Sequence, residues 1–193
     1  MLNTVIFGPP GAGKGTQAKM AIDKFNLIHF STGDMLRAER AAGTELGKKV
    51  AAIMDSGKLV SDEIVIAIIE SKLDQNVKGG GFIFDGFPRT VAQAEALDNL
   101  LRSRNLKINC TVSLEVPEKE LVIRLLNRAK QEGRADDTEA VIQERIREYH
   151  AKTKPVANHY SQQGKLKAID GTGSVADIFG RISSILDASG NEA

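Results

Sequence analysis

The chain alternates short, almost continuously apolar runs with longer runs in which apolar and polar residues recur at helical spacing. Continuous apolar runs are typical of strands buried on both faces, and the longer runs are typical of amphipathic helices. The apolar runs predict five strands, at Leu2–Phe7, Leu27–Phe30, Phe82–Phe84, Ile108–Val116 and Leu166–Ile169. The longer runs predict helices at Lys14–Phe25, Met35–Ala42, Glu45–Ser56, Asp62–Asp74, Val91–Arg104, Glu118–Lys130, Thr138–His159 and Val175–Ala188. This alternation predicts an α/β fold with a parallel five-stranded sheet and helices on both faces.

Two stretches interrupt the alternation of strands and helices. Residues 31–60 supply two consecutive helices without a strand, and residues 129–137 form a polar connection that contains a glycine. We expect both to be surface inserts that move. Ser61, Thr90 and Thr138 are residue types that favour helix N-caps, and they support the predicted starts of three helices.

The glycine-rich stretch Gly8–Thr16 lies between the first predicted strand and the first predicted helix. Its backbone N–H groups can converge on phosphate oxygens because glycines leave no side chain in the way. The following helix adds its positive end, and Lys14 adds a mobile cation. A strand, a glycine-rich loop, a lysine and a helix therefore follow one another, and this order indicates a P-loop. A glycine-rich turn that binds nothing would not account for it. The Ser or Thr that usually follows the lysine is replaced by Gly15, so Thr16 need not hold Mg²⁺ in the usual way.

The predicted strand Phe82–Phe84 is followed directly by the sequence Asp85–Arg89. Asp85 lies at the carboxyl end of that strand, where open α/β sheets place their ligands. By itself an Asp at a strand end is more often a turn residue or a cap, but beside a phosphate loop it predicts an organiser of Mg²⁺-bound water. Gly86 and Pro88 fit a tight turn, and we expect that turn to aim Arg89 at the site.

Four further arginines cluster in the second half of the chain. Arg124 and Arg128 share one helix face, Arg134 lies in the polar connection, and Arg145 lies on the next predicted helix. Each of them could simply form an ion pair with one of the neighbouring acids, which are Glu132, Asp136, Asp137, Glu144 and Glu148. A functional role is favoured by the chemistry of phosphoryl transfer, because its transition state is stabilised almost wholly by positioning and by cations.

Composition and charge narrow the choice of function. The 26 Lys and Arg residues against 25 Asp and Glu leave a formal net charge of +1, which argues against a generally basic surface for nucleic acid or membranes. The lone cysteine, Cys110, excludes an intramolecular disulfide and a cysteine-based zinc site, and we expect it to be buried. The longest aliphatic run, Ile64–Ile69, is too short to span a bilayer, and no signal peptide is recognised, so we expect a cytoplasmic protein.

Taken together, Gly8–Thr16, Ser31–Asp34, Asp85–Arg89 and Gln93 resemble the motifs of the adenylate kinase family. The resemblance extends over nearly the whole chain, as far as Asp170-Gly171-Thr172-Gly173. It implies a single P-loop kinase domain over residues 1–193, with a monophosphate-binding insert at 31–60 and a short lid at 127–137. It also implies that ATP, AMP and ADP are the partners, with the γ-phosphoryl group of MgATP transferred reversibly to AMP to give two ADP.

The resemblance also implies roles for individual residues. Those that would bind ATP are Gly11, Ala12, Gly13, Lys14, Gly15, Thr16, Arg124, Arg128 and Gly173. Those that would bind AMP are Thr32, Arg37, Lys58, Leu59, Val60, Gly86, Phe87, Pro88, Arg89, Gln93, Arg134 and Arg145. The catalytic residues would be Lys14, Arg89, Arg128, Arg134 and Arg145, and Asp85 would serve the metal ion.

Several of these residues have simpler structural interpretations, and other functions stay open. Thr32 could be only an N-cap, Leu59 and Val60 only core, and Gln93 only part of a capping box with Thr90. A UMP/CMP kinase on the same scaffold is the nearest alternative function, and a non-catalytic nucleotide sensor is a more distant one. The short lid predicts no structural zinc. We expect a monomer, and we expect the acids that balance the site's cations to lie mostly elsewhere.

Overall fold

The structure, a computed structural model, describes residues 1–76, 80–133 and 137–190. Its sheet has five parallel strands in the order β2-β3-β1-β4-β5. The strands are β1 (Leu2–Phe7), β2 (Ile28–Ser31), β3 (Gly81–Asp85), β4 (Cys110–Glu115) and β5 (Leu166–Asp170). The helices are α1 (Lys14–Phe25), α2 (Thr32–Ala41), α3 (Glu45–Asp55), α4 (Asp62–Gln75), α5 (Val91–Arg102), α6 (Glu118–Glu132), α7 (Glu139–Glu148), α8 (Val156–Gln162) and α9 (Val175–Gly190). The predicted fold class is confirmed.

Successive residues of the central strands point to opposite faces of the sheet, and each face has its own core. Val5 and Phe84 pack on the side covered by α4, α5 and α8. Ile6 and Ile83 pack on the other side, against α1 and α9. Full burial of each such side chain stabilises the fold by about 1.5–3 kcal/mol. Burial on both faces explains why β1 and β3 carry apolar residues on both faces, although Asn3 and Thr4 of β1 are polar and buried.

The predicted N-cap residues are only partly confirmed by the helix starts in the structure. Thr90 is an N-cap as predicted, and its hydroxyl accepts a hydrogen bond from the Gln93 N–H at 3.1 Å. Ser61 and Thr138 stand at N-cap positions, but neither side chain makes a capping hydrogen bond. The helix expected from Met35 begins instead at Thr32, because Ser31 caps it by accepting from the backbone of the third helical residue.

The single helix predicted over Thr138–His159 is wrong. The structure has α7, then a π-helical segment at Tyr149–Thr153, and then α8, which begins at Val156. Pro155 has no N–H group to donate to an earlier carbonyl, so a regular α-helix cannot continue through it. The Lys154 N–H instead donates to the Tyr149 carbonyl at 2.8 Å, five residues back.

Cys110 is 1% exposed and lies in the core, as predicted for a buried thiol. Across residues 1–76, 80–133 and 137–190, no helix is both long enough and apolar enough to cross a membrane.

Candidate active site

The P-loop follows the end of β1 and leads directly into α1. The Lys14 ammonium group folds back over the loop and donates to the Gly8 carbonyl at 2.9 Å and the Pro9 carbonyl at 3.0 Å. Burial lowers the pKa of Lys14 to about 7; the Asp85 carboxylate opposes this effect, and nearby arginine charges add to it. The loop therefore encloses a cation that binding of phosphate would stabilise.

The glycine at position 11 has a packing role besides the predicted role in phosphate binding. Its φ of +83° lies in the left-handed region, and a Cβ there would sit 2.9 Å from the Leu125 side chain. Because α6 packs so closely on the loop, only glycine fits at this position. Sequence interpretation had considered only the phosphate.

Asp85 lies at the end of β3, beside the first turn of α1. Its Oδ2 atom is 3.6 Å from the position of a Cβ built on Gly15, and Thr16 is exposed to solvent. The His29 Nε2 atom lies 3.6 Å from the same Asp85 oxygen and makes no hydrogen bond. One carboxylate beside a phosphate loop fits Mg²⁺, which usually binds one or two carboxylates together with water and substrate phosphates. His29 belongs to no motif, and sequence interpretation missed it.

The turn after Asp85 joins the first helix of the 31–60 stretch to the site. The Gly86 carbonyl accepts hydrogen bonds from the Thr32 hydroxyl at 2.8 Å and from Arg89 Nε at 2.9 Å. Gly86 has a φ of +73°, and a Cβ there would lie 3.2 Å from Arg89 Nη2. The idea that Thr32 is only an N-cap is therefore wrong, because Ser31 holds that position and Thr32 Oγ1 donates to the turn.

Two clefts open on this turn, and several residues line both of them. The central cleft lies between the P-loop, the turn and α7, and its lining includes Lys14, Phe87, Pro88 and Tyr149. The side cleft lies among α2, the α3–α4 connection and α5, and its lining includes Thr32, Arg37, Lys58, Val60 and Gln93. Residues of both linings are Gly57, Leu59, Gly86, Arg89 and Arg145. Two arginines thus stand where the clefts meet.

One arginine of α6 and one of α7 converge on the same buried carboxylate. Asp137 is 0% exposed at its side chain, and both its oxygens accept from Arg128, at 2.6 and 2.8 Å. Arg145 also donates to Asp137, at 2.6 Å. The ion pairs offered as a structural interpretation therefore exist, but the same Arg145 also lines both clefts. Arg134 lies outside the described residues.

The remaining predicted residues lie at the edges of the site. Arg124 pairs with Glu120 and donates to the Gly171 carbonyl at 3.1 Å, close in the chain to Gly173. These two predicted ATP-base contacts line neither cleft. Arg37 pairs with Asp34 on α2. Burial opposes ionisation of Asp34, yet hydrogen bonds from Arg37 and Ser31 hold the pKa of its carboxyl below the usual value.

Gln93 is buried in the wall of the side cleft, and its side chain does not complete a capping box with Thr90. Its Oε1 atom accepts from the Arg89 N–H at 2.7 Å, and its Nε2 atom donates to Asp62 at 2.8 Å. A capping box would instead direct the Gln93 side chain to the backbone N–H of Thr90. Asp62 was not predicted as a site residue, and its only visible signal was its place in the first turn of a helix.

A family model described as adenylate kinase matches residues 6–165 of this chain. The chain belongs to the adenylate kinase family. It is 53% identical to the adenylate kinase of Maricaulis maris over 186 residues, which cover 96% of this chain and 99% of that protein. It is 48% identical to the adenylate kinase of Hyphomonas neptunium, covering 97% of this chain and all of that protein. The corresponding enzyme of Phocaeicola vulgatus is 47% identical, with coverage of 97% and 99%.

These matches confirm the predicted family and, with it, the prediction of an enzyme that transfers a phosphoryl group between ATP and AMP. Neither the family model nor these relatives favour a UMP/CMP kinase or a non-catalytic sensor. Within the part of the chain that the structure describes, no group of three or more His, Cys, Asp or Glu side chains could hold a metal ion. The absence of structural zinc stays a prediction.

Proposed function

We propose that the central cleft takes the phosphates of ATP and that the side cleft takes AMP, so that the two phosphate chains meet at Arg89 and Arg145. The observation that carries this assignment is that both arginines line both clefts. Two phosphate chains brought end to end concentrate negative charge at that junction. Arginines bind phosphate oxygens bidentately and stabilise the charge that develops during transfer.

The chain's own residues suit direct in-line transfer. Lys14 would follow the moving group from the P-loop, and Arg128, Arg134 and Arg145 would surround it. Asp85 would hold Mg²⁺ through its water ligands, together with the ATP phosphates. The ion would neutralise charge on those phosphates when bound.

Two inserts would close the site. We infer that residues 31–60 form the monophosphate-binding insert and residues 127–137 a short lid, within one kinase domain of 193 residues. Closure would exclude water, which would otherwise hydrolyse ATP. Without AMP, the ATPase rate should therefore be far below the kinase rate, and comparable rates would contradict closure. We further propose a monomer that acts in the cytoplasm and binds no nucleic acid.

Substitution of Arg145 tests the assignment of the junction. Arg145→Ala should lower kcat for ADP formation by about 10³-fold, because it removes a cation from the transferring group. The matched control is Arg147→Ala on the same helix, whose side chain is 72% exposed and paired with Glu144. It should leave kcat within about twofold. Equal effects of the two substitutions would remove Arg145 from the site.

The choice of nucleotides is tested with a panel. ADP formation is measured from ATP with AMP, CMP or UMP, each with and without Mg²⁺. AMP should be turned over fastest, and only with Mg²⁺. Faster turnover of a pyrimidine nucleotide would contradict the assignment of AMP to the side cleft.

Direct transfer predicts that no phosphorylated enzyme accumulates. Cys110 is buried, whereas His29 places a nitrogen nucleophile beside Asp85. Incubation with γ-labelled ATP, followed by an alkaline quench that preserves phosphohistidine, should leave the protein unlabelled. Label that is lost in a His29→Gln variant would contradict direct transfer.

A further inference from the structure

The first residue of α4, Asp62, binds two side chains that belong to the start of α5. Asp62 Oδ2 accepts from the Thr90 hydroxyl at 3.0 Å, and Oδ1 accepts from Gln93 Nε2 at 2.8 Å. Asp62 is itself partly buried. It does not line the side cleft, but it contacts a residue that does.

Asp62 and the backbone of Arg89 together fix the orientation of the Gln93 amide. Gln93 Oε1 accepts from the Arg89 N–H at 2.7 Å, while Nε2 donates to the Asp62 carboxylate. A carboxylate only accepts and a backbone N–H only donates. Rotating the amide by half a turn would therefore set oxygen against oxygen at Asp62 and donor against donor at Arg89.

The fixed amide keeps one donor and one acceptor unused. A glutamine side chain has two N–H donors and two acceptor lone pairs, and one of each is taken by Asp62 and Arg89. The hydroxyl of Thr32, also in the side-cleft lining, donates its proton to the Gly86 carbonyl and can therefore only accept from a ligand. The cleft thus offers acceptors at defined places.

Purine bases differ at position 6, the position whose exocyclic group such acceptors would contact. The exocyclic group at position 6 of adenine donates, and the ring nitrogen next to it accepts, which is the edge that a glutamine amide matches. In a 6-oxopurine the exocyclic atom is an oxygen that accepts. An amide held with its oxygen toward that atom would face an unfavourable pair of acceptors.

We propose that Asp62 is a specificity-determining positioning residue: it holds the Gln93 amide in the orientation that accepts a 6-aminopurine nucleotide and rejects a 6-oxopurine nucleotide. The proposal rests on the proposed function, in which the base of AMP contacts Gln93. Asp62 acts through Gln93 and touches no substrate.

Asp62→Asn tests the proposal, with inosine monophosphate (IMP) as the 6-oxo analogue of AMP. An asparagine has both a donor and an acceptor, so it can pair with either orientation of the Gln93 amide. The ratio of kcat/KM for AMP to that for IMP should fall at least about tenfold, because one unfavourable contact is removed from the flipped amide. The loss should appear in the KM for AMP, with kcat changed less than about threefold.

Glu63→Gln is the matched control for Asp62→Asn. Glu63 is exposed on the same first turn of α4, and its substitution removes the same charge without altering the contacts of Gln93. It should leave the AMP-to-IMP ratio unchanged. Thermal unfolding checks that each variant is folded, and Asp62→Ala, which also releases Nε2 of Gln93, replaces Asp62→Asn if the latter does not fold.

Gln93→Ala separates a failure of this proposal from a failure of the proposed function. If Gln93→Ala leaves the KM for AMP unchanged, the base does not contact Gln93 and the assigned cleft is wrong. If Gln93→Ala raises that KM at least tenfold while Asp62→Asn leaves the AMP-to-IMP ratio within twofold of the wild-type value, only the role of Asp62 is overturned.

Discussion

Nucleotide binding is expected to draw a proton from solution, because Lys14 is largely uncharged in the free protein at alkaline pH. Its ammonium group donates to two loop carbonyls, and burial lowers its pKa to about 7. The carboxylate of Asp85 opposes that shift, whereas the charges of Arg89, Arg145 and Arg128 add to it. The phosphates of ATP would place several negative charges next to the same nitrogen and raise its pKa again.

The size of the uptake follows from the pKa. At pH 8, one unit above a pKa of about 7, roughly nine-tenths of the free protein carries a neutral Lys14, and at pH 6 only about one-tenth does. Binding should therefore take up about 0.9 proton at pH 8 and about 0.1 at pH 6. The same shift affects stability. Between pH 7 and the ordinary lysine pKa of 10.5, the unfolded chain binds more protons at Lys14. This residue therefore makes the nucleotide-free protein more stable as pH rises through that window.

Calorimetry measures the uptake directly. ATP is titrated into the protein at pH 6 and at pH 8, in buffers with different enthalpies of ionisation, and the dependence of the binding enthalpy on the buffer gives the number of protons. Lys14→Met should remove the pH-dependent part and leave only the protons contributed by ATP and other groups. The matched control, Lys19→Met, changes an exposed lysine of the same helix and should behave as the wild type. An uptake that differs by less than about 0.2 proton between the two pH values would refute a neutral Lys14.

Two further predictions concern the buried carboxylate and the turn. Asp137→Asn should lower the free energy of unfolding, measured by urea denaturation, by about 2–4 kcal/mol, because it weakens charge-assisted hydrogen bonds to two arginines. The control is Glu139→Gln on the exposed start of α7, which should change the free energy of unfolding by less than about 1 kcal/mol. A loss of equal size in both variants would contradict a structural role of Asp137. Gly86→Ala and Gly164→Ala should each lower the free energy of unfolding by about 1–2 kcal/mol, since both glycines have a positive φ. Of the two, only Gly86→Ala should also lower kcat/KM, because the Cβ at position 86 would crowd Arg89 and Thr32, whereas the Cβ at position 164 would meet no atom within 4 Å. Unchanged kcat/KM in Gly86→Ala would show that the turn tolerates the displacement.

The order and type of most elements could be predicted because both faces of the sheet are covered. Burial on two faces gives strands such as β1 and β3 apolar residues on both faces, which is a signal that the sequence carries by itself. The π-helical segment before Pro155 could not be predicted from periodicity. It adds one residue to a turn, and the apolar spacing on either side still fits a continuous helix.

Candidate site residues could be predicted where a motif is local, but not where a contact joins distant parts of the chain. The P-loop and the Asp85–Arg89 turn are contiguous, so their chemistry is visible in the sequence. Asp62 reaches partners 28 and 31 residues away, and nothing in its neighbourhood reveals them. His29 likewise lies beside Asp85 only because β2 and β3 are paired in the sheet.

Charge at the site is balanced locally, which corrects the expectation that the acids lie mostly elsewhere. Asp137 forms ion pairs with both Arg128 and Arg145 and offsets one of their two charges, and Asp34 pairs with Arg37. Without these carboxylates, the uncompensated arginine charges would destabilise the folded protein by several kcal/mol, because the site is partly buried. Phosphates that bind in the proposed way would therefore compete with Asp137 and Asp34 for the same guanidinium groups. These ion pairs hold the cations in place in the free enzyme, and they fit a chain with a net charge of +1 that holds a site for two nucleotides.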